Sequence, residues 1–278
     1  MTHLLTLGYG YSAQALTRRL LAKGWSASGT TRDAALAQRM SQEGVTRVLL
    51  PDDLGPALAR ASHILISAAP DETGDPFLRD FGAQIRAARP AWVGYLSTTS
   101  VYGDRGGDWV DETDALRPET ERGRERVLAE EAWLASGLPA HVFRLAGIYG
   151  PGRGPLEKAR RGGPAVVKPG QVFGRIHVDD IAQVLEASIR HPHPGRIYNV
   201  CDDEPAPAEE VLDHAAALLG LPAPRRVAFD PEGMSEMARS FYAECKRVRN
   251  DRIKTELGVQ LLYPTYREGL AAQIAASG

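Results

Sequence analysis

The stretch His3-Leu-Leu-Thr-Leu-Gly-Tyr-Gly-Tyr-Ser-Ala13 decides the fold of the chain. Its leucines form an apolar run of strand length, which Gly8 and Gly10 interrupt before leucines recur at helical spacing. The pattern predicts a strand, a glycine-rich turn and a helix. Gly8 permits a tight turn, Gly10 lets the backbone approach a phosphate, and Ala13 allows close helix–strand packing. We therefore expect a dinucleotide site, with the pyrophosphate at the N-terminus of the helix.

The whole turn and the first turn of the helix are expected to contact the dinucleotide. These candidate cofactor-binding residues are Gly8, Tyr9, Gly10, Tyr11, Ser12 and Ala13. Two glycines also make a tight turn in α/β proteins without a nucleotide. The position of this turn, between an N-terminal strand and an amphipathic helix, favours the nucleotide site.

The end of the second predicted strand, 25–30, indicates which dinucleotide binds. An NAD site usually carries Asp or Glu here, to accept a hydrogen bond from the ribose 2′-hydroxyl. This chain has Thr31 and Arg32, a hydroxyl and a permanent cation that suit a 2′-phosphate. We therefore predict NADP rather than NAD. Arg32 is also compatible with a solvated loop charge, and Asp33 leaves NAD open as an acidic residue shifted along the chain.

Two further segments are expected to line the cofactor. Asp53 follows the third predicted strand and is placed to accept a hydrogen bond from the adenine amino group. The apolar run 63–69 predicts a parallel strand buried on both faces, and it ends in the small residues Ser67, Ala68 and Ala69. Because strands and helices alternate, the first half predicts a doubly wound parallel sheet with ligands at the strands' carboxyl ends.

Composition narrows the class of protein. The 278 residues carry a formal net charge of −2, which gives no general attraction to nucleic acid or to anionic membranes. No apolar run approaches membrane-spanning length. Two distant cysteines and the absence of a basic, then apolar leader predict a cytoplasmic protein with reduced thiols. The seven histidines show no metal-ligand spacing, so no metal is expected.

Further motifs carry a family resemblance across almost the whole chain. They are Gly8-Tyr-Gly10, Leu96-Ser-Thr-Thr-Ser-Val-Tyr-Gly103, Arg144-Leu-Ala-Gly-Ile-Tyr-Gly-Pro-Gly152, Ile176-His-Val-Asp-Asp-Ile-Ala182, Ile197-Tyr-Asn-Val200 and Glu256-Leu-Gly258. In this order they resemble an extended short-chain dehydrogenase/reductase, the group that includes nucleotide-sugar epimerases and dehydratases. The resemblance implies an α/β fold, a Rossmann-type doubly wound parallel sheet with a small C-terminal α/β lobe.

The implied domains are a dinucleotide-binding domain, 1–150 plus about 176–200, and a smaller substrate or partner lobe, about 151–175 plus 201–278. A cleft is expected between them. The lobe's predicted short strand and helices span 225–229, 235–242, 250–257 and 266–276. The family often forms dimers through helices such as 77–88 and 120–136, so a homodimer is an expectation.

The resemblance also implies catalytic positions. Family members bind the reacting carbonyl with a Ser or Thr four residues before the Tyr of the Val-Tyr-Gly turn, which is Thr98 here. They use a Tyr-x-x-x-Lys pair on the next helix, and this chain has Arg122 and Arg126 at the matching positions. Asp80 is the nearest candidate for the family's helix Asn. The active site is therefore atypical, since a guanidinium stays protonated and is a poor general acid or base.

The two arginines admit different roles. Arg126 suits a ribose hydroxyl or a cofactor phosphate, and Arg122 suits an anionic substrate group or an oxyanion beside the nicotinamide. Both are also compatible with a solvated helix face whose ion pairs include Glu125 and Glu130. The remaining acid–base candidates near the site are Tyr102, Asp80, Asp104 and Tyr149.

These observations predict an NADP-dependent oxidoreductase or epimerase-like enzyme. An anionic carbonyl or sugar is the favoured small-molecule substrate, because the stretch after 150 is strongly basic, although a solvated charge run has the same composition. Its cations are Arg153, Lys158, Arg160, Arg161 and Lys168. The alternative is a catalytically silent NADP(H)-binding regulatory or sensor protein, which the missing Tyr and Lys would explain.

Overall fold

A computed structural model describes residues 2–234 and 236–276. Strands and helices alternate strictly over the first 98 residues. These elements are β1 (His3–Leu7), α1 (Tyr11–Leu21), β2 (Ser26–Thr31), α2 (Ala34–Gln42), β3 (Thr46–Leu49), α3 (Gly55–Arg60), β4 (His63–Ile66), α4 (Pro76–Ala88) and β5 (Trp92–Thr98).

The later elements include several strands of two or three residues, and strands and helices alternate less regularly among them. They are a 3₁₀ turn (Thr99–Tyr102), β6 (Trp109–Val110), α5 (Glu121–Leu134), β7 (Ala140–Leu145), β8 (Gly147–Tyr149), α6 (Pro155–Arg160), β9 (Ala165–Val167), β10 (Arg175–His177), α7 (Val178–Arg190), β11 (Ile197–Val200), α8 (Ala208–Leu218), β12 (Arg226–Ala228), α9 (Glu236–Ala243), β13 (Arg247–Val248), α10 (Asp251–Thr255) and α11 (Tyr266–Ala275).

Seven strands form one parallel sheet in the order β11-β7-β5-β4-β1-β2-β3, which confirms the predicted fold class. In its centre, Leu4 lies opposite Ala27 of β2 and His63 of β4. The strand order reverses between β1 and β4, since later strands extend the sheet on the other side of β1. Ligands of open α/β sheets bind outside the carboxyl ends of the strands at such a reversal. The fold therefore directs attention to the ends of β1 and β4.

The leucines of β1 explain why this strand lies at the centre of the sheet. Leu4, Leu5 and Leu7 are fully buried, as is expected for a parallel strand covered on both faces. Leu5 and Leu7 belong to one apolar cluster with Ile64 and Ile66 of β4. The strand that carries the glycine-rich turn is thus fixed by the core itself.

Contacts divide the chain into two compact units. The first is Met1–Thr98, Arg124–Arg144 and Ile181–Tyr198, and the second is Thr99–Gly123, Leu145–Asp180 and Asn199–Gly278. The second unit has its own apolar cluster, in which α8 and α11 take part through residues such as Leu212 and Leu270. Our predicted domain boundaries differ from this division at 99–123, 145–150, 176–180 and 199–200, and they stay a prediction.

The short elements near the C-terminus lie close to their predicted positions. The helix expected at 235–242 is α9, and Ser235 itself lies outside the described residues. Over residues 2–234 and 236–276, no helix has the length and apolar character needed to cross a membrane.

Candidate functional site

The turn after β1 requires a glycine at its first position. Gly8 has a φ of +89°, and a Cβ there would lie 2.8 Å from the backbone nitrogen of Ala68 at the end of β4. The Gly8 amide donates a hydrogen bond of 2.7 Å to the Thr30 hydroxyl of β2. The turn is therefore held against the carboxyl ends of both neighbouring strands, where no side chain fits.

The N-terminus of α1 presents its amides at the same place. Gly10 is the N-cap residue and has no side chain to cap the helix, and the first turn contains no acidic residue. The first N–H groups of an α-helix lack intrahelical partners, and with the helix dipole they attract anions. Gly10 also lies close to Ser67, since a Cβ at Gly10 would be 3.4 Å from the Ser67 hydroxyl. These features fit a dinucleotide pyrophosphate.

The other residues predicted in this turn differ in exposure. Tyr9 is buried, and its hydroxyl donates to Glu43 at 3.3 Å. Burial, together with the Glu43 carboxylate, raises the pKa of Tyr9 to about 12. Ser12 and Ala13 are buried in α1, whereas Tyr11 is half-buried. The Tyr9 side chain thus supports the turn from the protein interior.

At the end of β2 the acidic residue is already engaged. The carboxylate of Asp33 caps α2 by accepting hydrogen bonds from the amides of Ala35, at 2.8 Å, and Leu36, at 3.1 Å. The Thr31 hydroxyl accepts from the Asp33 amide at 3.0 Å. Arg32 is exposed and has no ion-pair partner within the described part of the chain. Among the described residues, the charged side chain without a partner at this strand end is therefore the Arg32 cation.

The remaining predicted cofactor residues lie after β3 and β4. Asp53 is exposed, and its carboxylate accepts a hydrogen bond of 2.9 Å from the amide of Gly55. Ser67 and Ala68 are half-buried and Ala69 is exposed, so the small residues after β4 leave an accessible surface. This surface adjoins Gly8, as the close approach of Ala68 requires.

The end of β5 is anchored by a buried ion pair. The Ser97 hydroxyl donates to the Glu130 carboxylate at 2.5 Å, and Arg144 of β7 donates to the same carboxylate at 2.7 Å and 3.1 Å. The charged side chains of Arg144 and Glu130 are only 3% and 2% exposed. Thr98, the predicted carbonyl-binding residue, follows Ser97 directly and is half-buried. The anchor thus fixes the strand one residue before Thr98.

Arg126 anchors the same strand from α5. Its guanidinium donates to the carbonyl oxygen of Leu96 at 2.6 Å and to the hydroxyl of Tyr95 at 3.2 Å. Burial raises the pKa of the Tyr95 phenol, so that group is a neutral partner. Glu130, one helical turn after Arg126, binds Arg144 and Ser97. The solvated ion-pair alternative therefore does not describe these two positions, whereas Arg122 is exposed.

The candidate acid–base groups are largely engaged or buried. The fully buried Tyr102 donates to Asn199 at 2.7 Å, and burial raises the pKa of the Tyr149 phenol. Asp104 accepts hydrogen bonds from the amides of Cys245, at 2.7 Å, and Gly106, at 3.2 Å. Asp80 lies on α4, where Arg79 donates to its exposed carboxylate at 3.2 Å.

Ser97, Glu130 and Arg144 form a buried unit that the sequence patterns do not predict. Ser97 and Arg144 lie in motifs of the family resemblance, and Glu130 belongs to a helix face rich in charged residues. Glu130 lies on the same side of α5 as Ala129 and Trp133, which are both fully buried. This spacing of a charged residue among apolar ones is the signal in the sequence that indicates its burial. Burial of Glu130 requires a cationic partner, and Arg144 supplies it.

In the second unit, part of the basic stretch is engaged internally. Lys168 donates to the carbonyl oxygen of Tyr242 and lies 5.0 Å from the ring centroid of Phe229. Arg160 pairs with Glu157 on α6.

Gly123, at the start of α5, is in close contact with its neighbours, since a Cβ there would lie 3.1 Å from the carbonyl oxygen of Ser100.

Comparisons with known proteins extend over the full chain. Protein YeeZ of Escherichia coli K12 is 33% identical over 286 residues, which cover 95% of this chain and 97% of YeeZ. A 3-diazoavenalumate denitrifying reductase from a Streptomyces species is 34% identical over 161 residues, which cover 54% of this chain and 50% of the reductase. No family model matches the chain.

Two solved structures resemble this chain over almost its whole length. A conserved protein of unknown function from Silicibacter pomeroyi is 55% identical, with a TM-score of 0.95 over 99% of both chains. The dTDP-glucose 4,6-dehydratase of Bacillus anthracis, solved in complex with NAD, is 18% identical, with a TM-score of 0.77 over 99% of this chain and 96% of the dehydratase. The chain therefore belongs to the family of Escherichia coli YeeZ and has the extended short-chain dehydrogenase/reductase fold of NAD-dependent epimerases and dehydratases.

Proposed function

We propose that this protein is an NADP-dependent reductase with an atypical extended short-chain dehydrogenase/reductase site. The observation that carries the proposal is the uncapped N-terminus of α1 beside Gly8, whose close approach to Ala68 leaves no room for a side chain. When bound, a nicotinamide dinucleotide supplies or accepts a hydride. The Bacillus anthracis dehydratase with this fold was solved with NAD, which supports a nicotinamide dinucleotide here.

The preference for NADP rests on the end of β2. Asp33 uses a carboxylate oxygen to cap α2, whereas the Arg32 guanidinium is exposed and carries no ion pair with any described residue. A guanidinium makes charge-assisted hydrogen bonds to a phosphate. The adenosine 2′-phosphate is the group that distinguishes NADP from NAD, so Arg32 is its proposed ligand.

The variant Arg32→Ala is expected to weaken NADPH binding by roughly tenfold or more, because a hydrogen bond to a charged group contributes about 1.5–3 kcal/mol. NADH binding should stay within about twofold. Titration by nicotinamide fluorescence measures both. Arg39→Ala is the matched control, since Arg39 is an exposed arginine on α2 of the same unit. Equal NADPH affinity in wild type and Arg32→Ala would refute the assignment to Arg32.

The reaction that suits this site is a reduction that needs little proton transfer from the protein. Arg122 and Arg126 stand where the resemblance places the proton-donating Tyr and its Lys, and Tyr102 is buried in a bond to Asn199. The Streptomyces relative is named as a denitrifying reductase of a diazo compound. When a hydride replaces the nitrogen of an aryl diazonium, the C–N bond breaks, N₂ leaves with its electron pair, and no oxyanion forms that would require an acid.

Two substrate classes follow, and Thr98 distinguishes them. With an anionic carbonyl substrate, Thr98→Ala should lower kcat/KM by about 10²-fold, as for other lost oxyanion donors. With an aryl diazonium substrate, the same variant should change kcat/KM little, because no oxyanion develops. The assay follows NADPH absorbance with 2-oxo acids, nucleotide sugars and an aryl diazonium salt. Tyr102→Phe is the control for both. Equal carbonyl reduction by Thr98→Ala and wild type would remove Thr98 from the mechanism.

A catalytically silent NADP(H) sensor is the second candidate. It is favoured by the engagement of Arg126, whose guanidinium binds the Leu96 carbonyl and the Tyr95 hydroxyl. Such a protein would bind NADPH and NADP⁺ with clearly different affinities and turn over none of the panel. Reduction of any panel substrate at a rate lost in Arg32→Ala would exclude it. Absence of binding of all four dinucleotides would refute both candidates.

A further inference from the structure

The first unit contains a cavity of about 230 Å³ on the face of the sheet beside α3. Its polar lining comes from β2, β3, the loop after β3 and α3, namely Ser28, Thr46, Arg47, Asp52, Asp53 and Arg60. The volume lies just below the ~300–1,000 Å³ of pockets for drug-sized ligands. A small polar ligand therefore matches its size.

The cavity has a built polar floor. The side chain of Ser28 is almost fully buried, and its hydroxyl lies 2.8 Å from Nε2 of His3. Nδ1 of the same imidazole lies 2.7 Å from the Ser26 hydroxyl, which fixes the ring. Burial, and then the charge of Arg60, lowers the pKa of His3. The imidazole is therefore neutral at pH 7, and it holds the Ser28 hydroxyl in one place.

Two cations line the cavity without partners of their own. Arg47 and Arg60 are exposed, and neither forms an ion pair or side-chain hydrogen bond with the described residues. Their guanidiniums do not bridge to Asp52 or Asp53, although both carboxylates line the same space. Asp53 is committed to the amide of Gly55. The cavity thus offers two guanidinium donors and the Asp52 carboxylate as an acceptor, none of which has a side-chain partner among the described residues.

The floor of the cavity lies apart from the predicted pyrophosphate site, although Asp53, the predicted adenine ligand, also lines the cavity. Ser28 lies opposite Thr46, the first residue of β3, and three residues before Thr31 at the carboxyl end of β2. Three residues of a strand span about 10 Å. Dinucleotides bind outside the carboxyl ends of the strands, so the Ser28 floor lies away from that edge.

We propose that this cavity binds a small phosphate or carboxylate compound as a second ligand of the protein. Arg47 and Arg60 hold the anionic group above the Ser28 hydroxyl, and Asp52 accepts from a neighbouring hydroxyl or amino group of the same ligand. Two guanidiniums are the donors that such an anion prefers. This site does not depend on the proposed reductase activity.

The test is calorimetric titration of the full-length protein with inorganic phosphate and with glycerol 3-phosphate. We expect saturable binding, tighter for glycerol 3-phosphate, weakened at least tenfold by Arg47→Ala and by Arg60→Ala. Arg39→Ala, which removes an exposed arginine of α2 outside the cavity, should leave the affinity unchanged. Both cavity arginines are exposed, so their removal should not impair folding, and thermal melts verify this.

A second titration, in saturating NADPH, separates this site from the cofactor site. Unchanged glycerol 3-phosphate affinity is the expected result. One-for-one displacement by NADPH would assign the anion to the cofactor site and overturn the proposal. It would also be overturned by binding that Arg39→Ala weakens as much as Arg47→Ala, or by the absence of saturable binding of either probe. Failure of NADPH to bind would concern only the proposed function.

Discussion

Replacing Glu130 with alanine is expected to lower the free energy of unfolding by about 3–5 kcal/mol. The variant leaves the Arg144 guanidinium buried without its carboxylate and deprives the Ser97 hydroxyl of its acceptor. Removing one member of a buried pair costs more than the pair's own interaction energy, because an uncompensated charge remains in a medium of low dielectric. Chemical denaturation followed by circular dichroism measures the loss.

Two further variants isolate the cause. Glu131→Ala removes the adjacent carboxylate on α5, which is exposed, and should change the free energy of unfolding by less than about 0.5 kcal/mol. The double variant Glu130→Met, Arg144→Met removes both charges and should recover most of the loss, since apolar replacement of a buried pair is often neutral or stabilising. A loss below about 1 kcal/mol in Glu130→Ala would contradict the buried pair.

The sheet was predictable because its signals are local. β1 and β4 are short apolar runs, which Gly8 and the small residues after Ile66 end, so both strands lie where the apolar pattern predicts them. The turn after β1 was predictable for the same reason. Gly8 must adopt a positive φ and lie against Ala68, and only glycine meets both conditions without strain.

The anchors of β5 were not predictable, because they depend on which side of α5 faces the sheet. Arg126 and Glu130 are spaced one helical turn apart, as in a solvated helix with ion pairs. Their actual partners are Leu96 and Arg144, which are 30 and 14 residues away in the chain. A periodic charge pattern carries no information about such distant partners, so the sequence left both readings of this face open.

The two-residue strands were not predictable for a related reason. β6 and β13 pair Trp109–Val110 with Arg247–Val248, and no periodicity is visible over two residues. Asp180, near the start of α7, also binds residues that are distant in the chain, because its carboxylate accepts from the amides of Leu262, at 2.6 Å, and Tyr263, at 3.2 Å. Local sequence favours a local partner, and the tertiary fold supplied a distant one.

Ionisation of Asp202, in the second unit, should lower the stability of the protein as the pH rises from 6.5 to 8. Its side chain is nearly fully buried, and its Oδ2 has no hydrogen-bond partner in the described residues. Burial raises the pKa of Asp202 to about 8, although the nearby Arg175 charge opposes the shift. The buried Tyr149 and Tyr266 hydroxyls and His177 Nε2 also lack partners there. Burial without a hydrogen bond to Oδ2 thus stabilises the carboxylate form of Asp202 poorly.

The sign follows from proton counting. Between the unfolded pKa near 3.8 and the folded pKa near 8, the folded state holds a proton that the unfolded state has released. Stability therefore decreases with rising pH across this range, by up to about 1.36 kcal/mol per unit. Buried histidines act in the opposite direction, since burial lowers the pKa of His141 to about 4 while an unfolded histidine still titrates up to about pH 7.5. The Asp202 effect is therefore the difference between wild type and a variant that lacks this carboxylate.

Urea unfolding at pH 6.5, 7.0, 7.5 and 8.0 tests this argument. Relative to Asp202→Asn, whose amide cannot ionise, wild type should lose up to about 2 kcal/mol of its free energy of unfolding over this interval. Asp203→Asn is the matched control, since the adjacent carboxylate is exposed and accepts from Lys254 at 2.6 Å. It should keep the wild-type slope. Equal slopes in wild type and Asp202→Asn would mean that Asp202 is ionised in the folded protein at pH 6.5. The Arg175 charge would then outweigh burial.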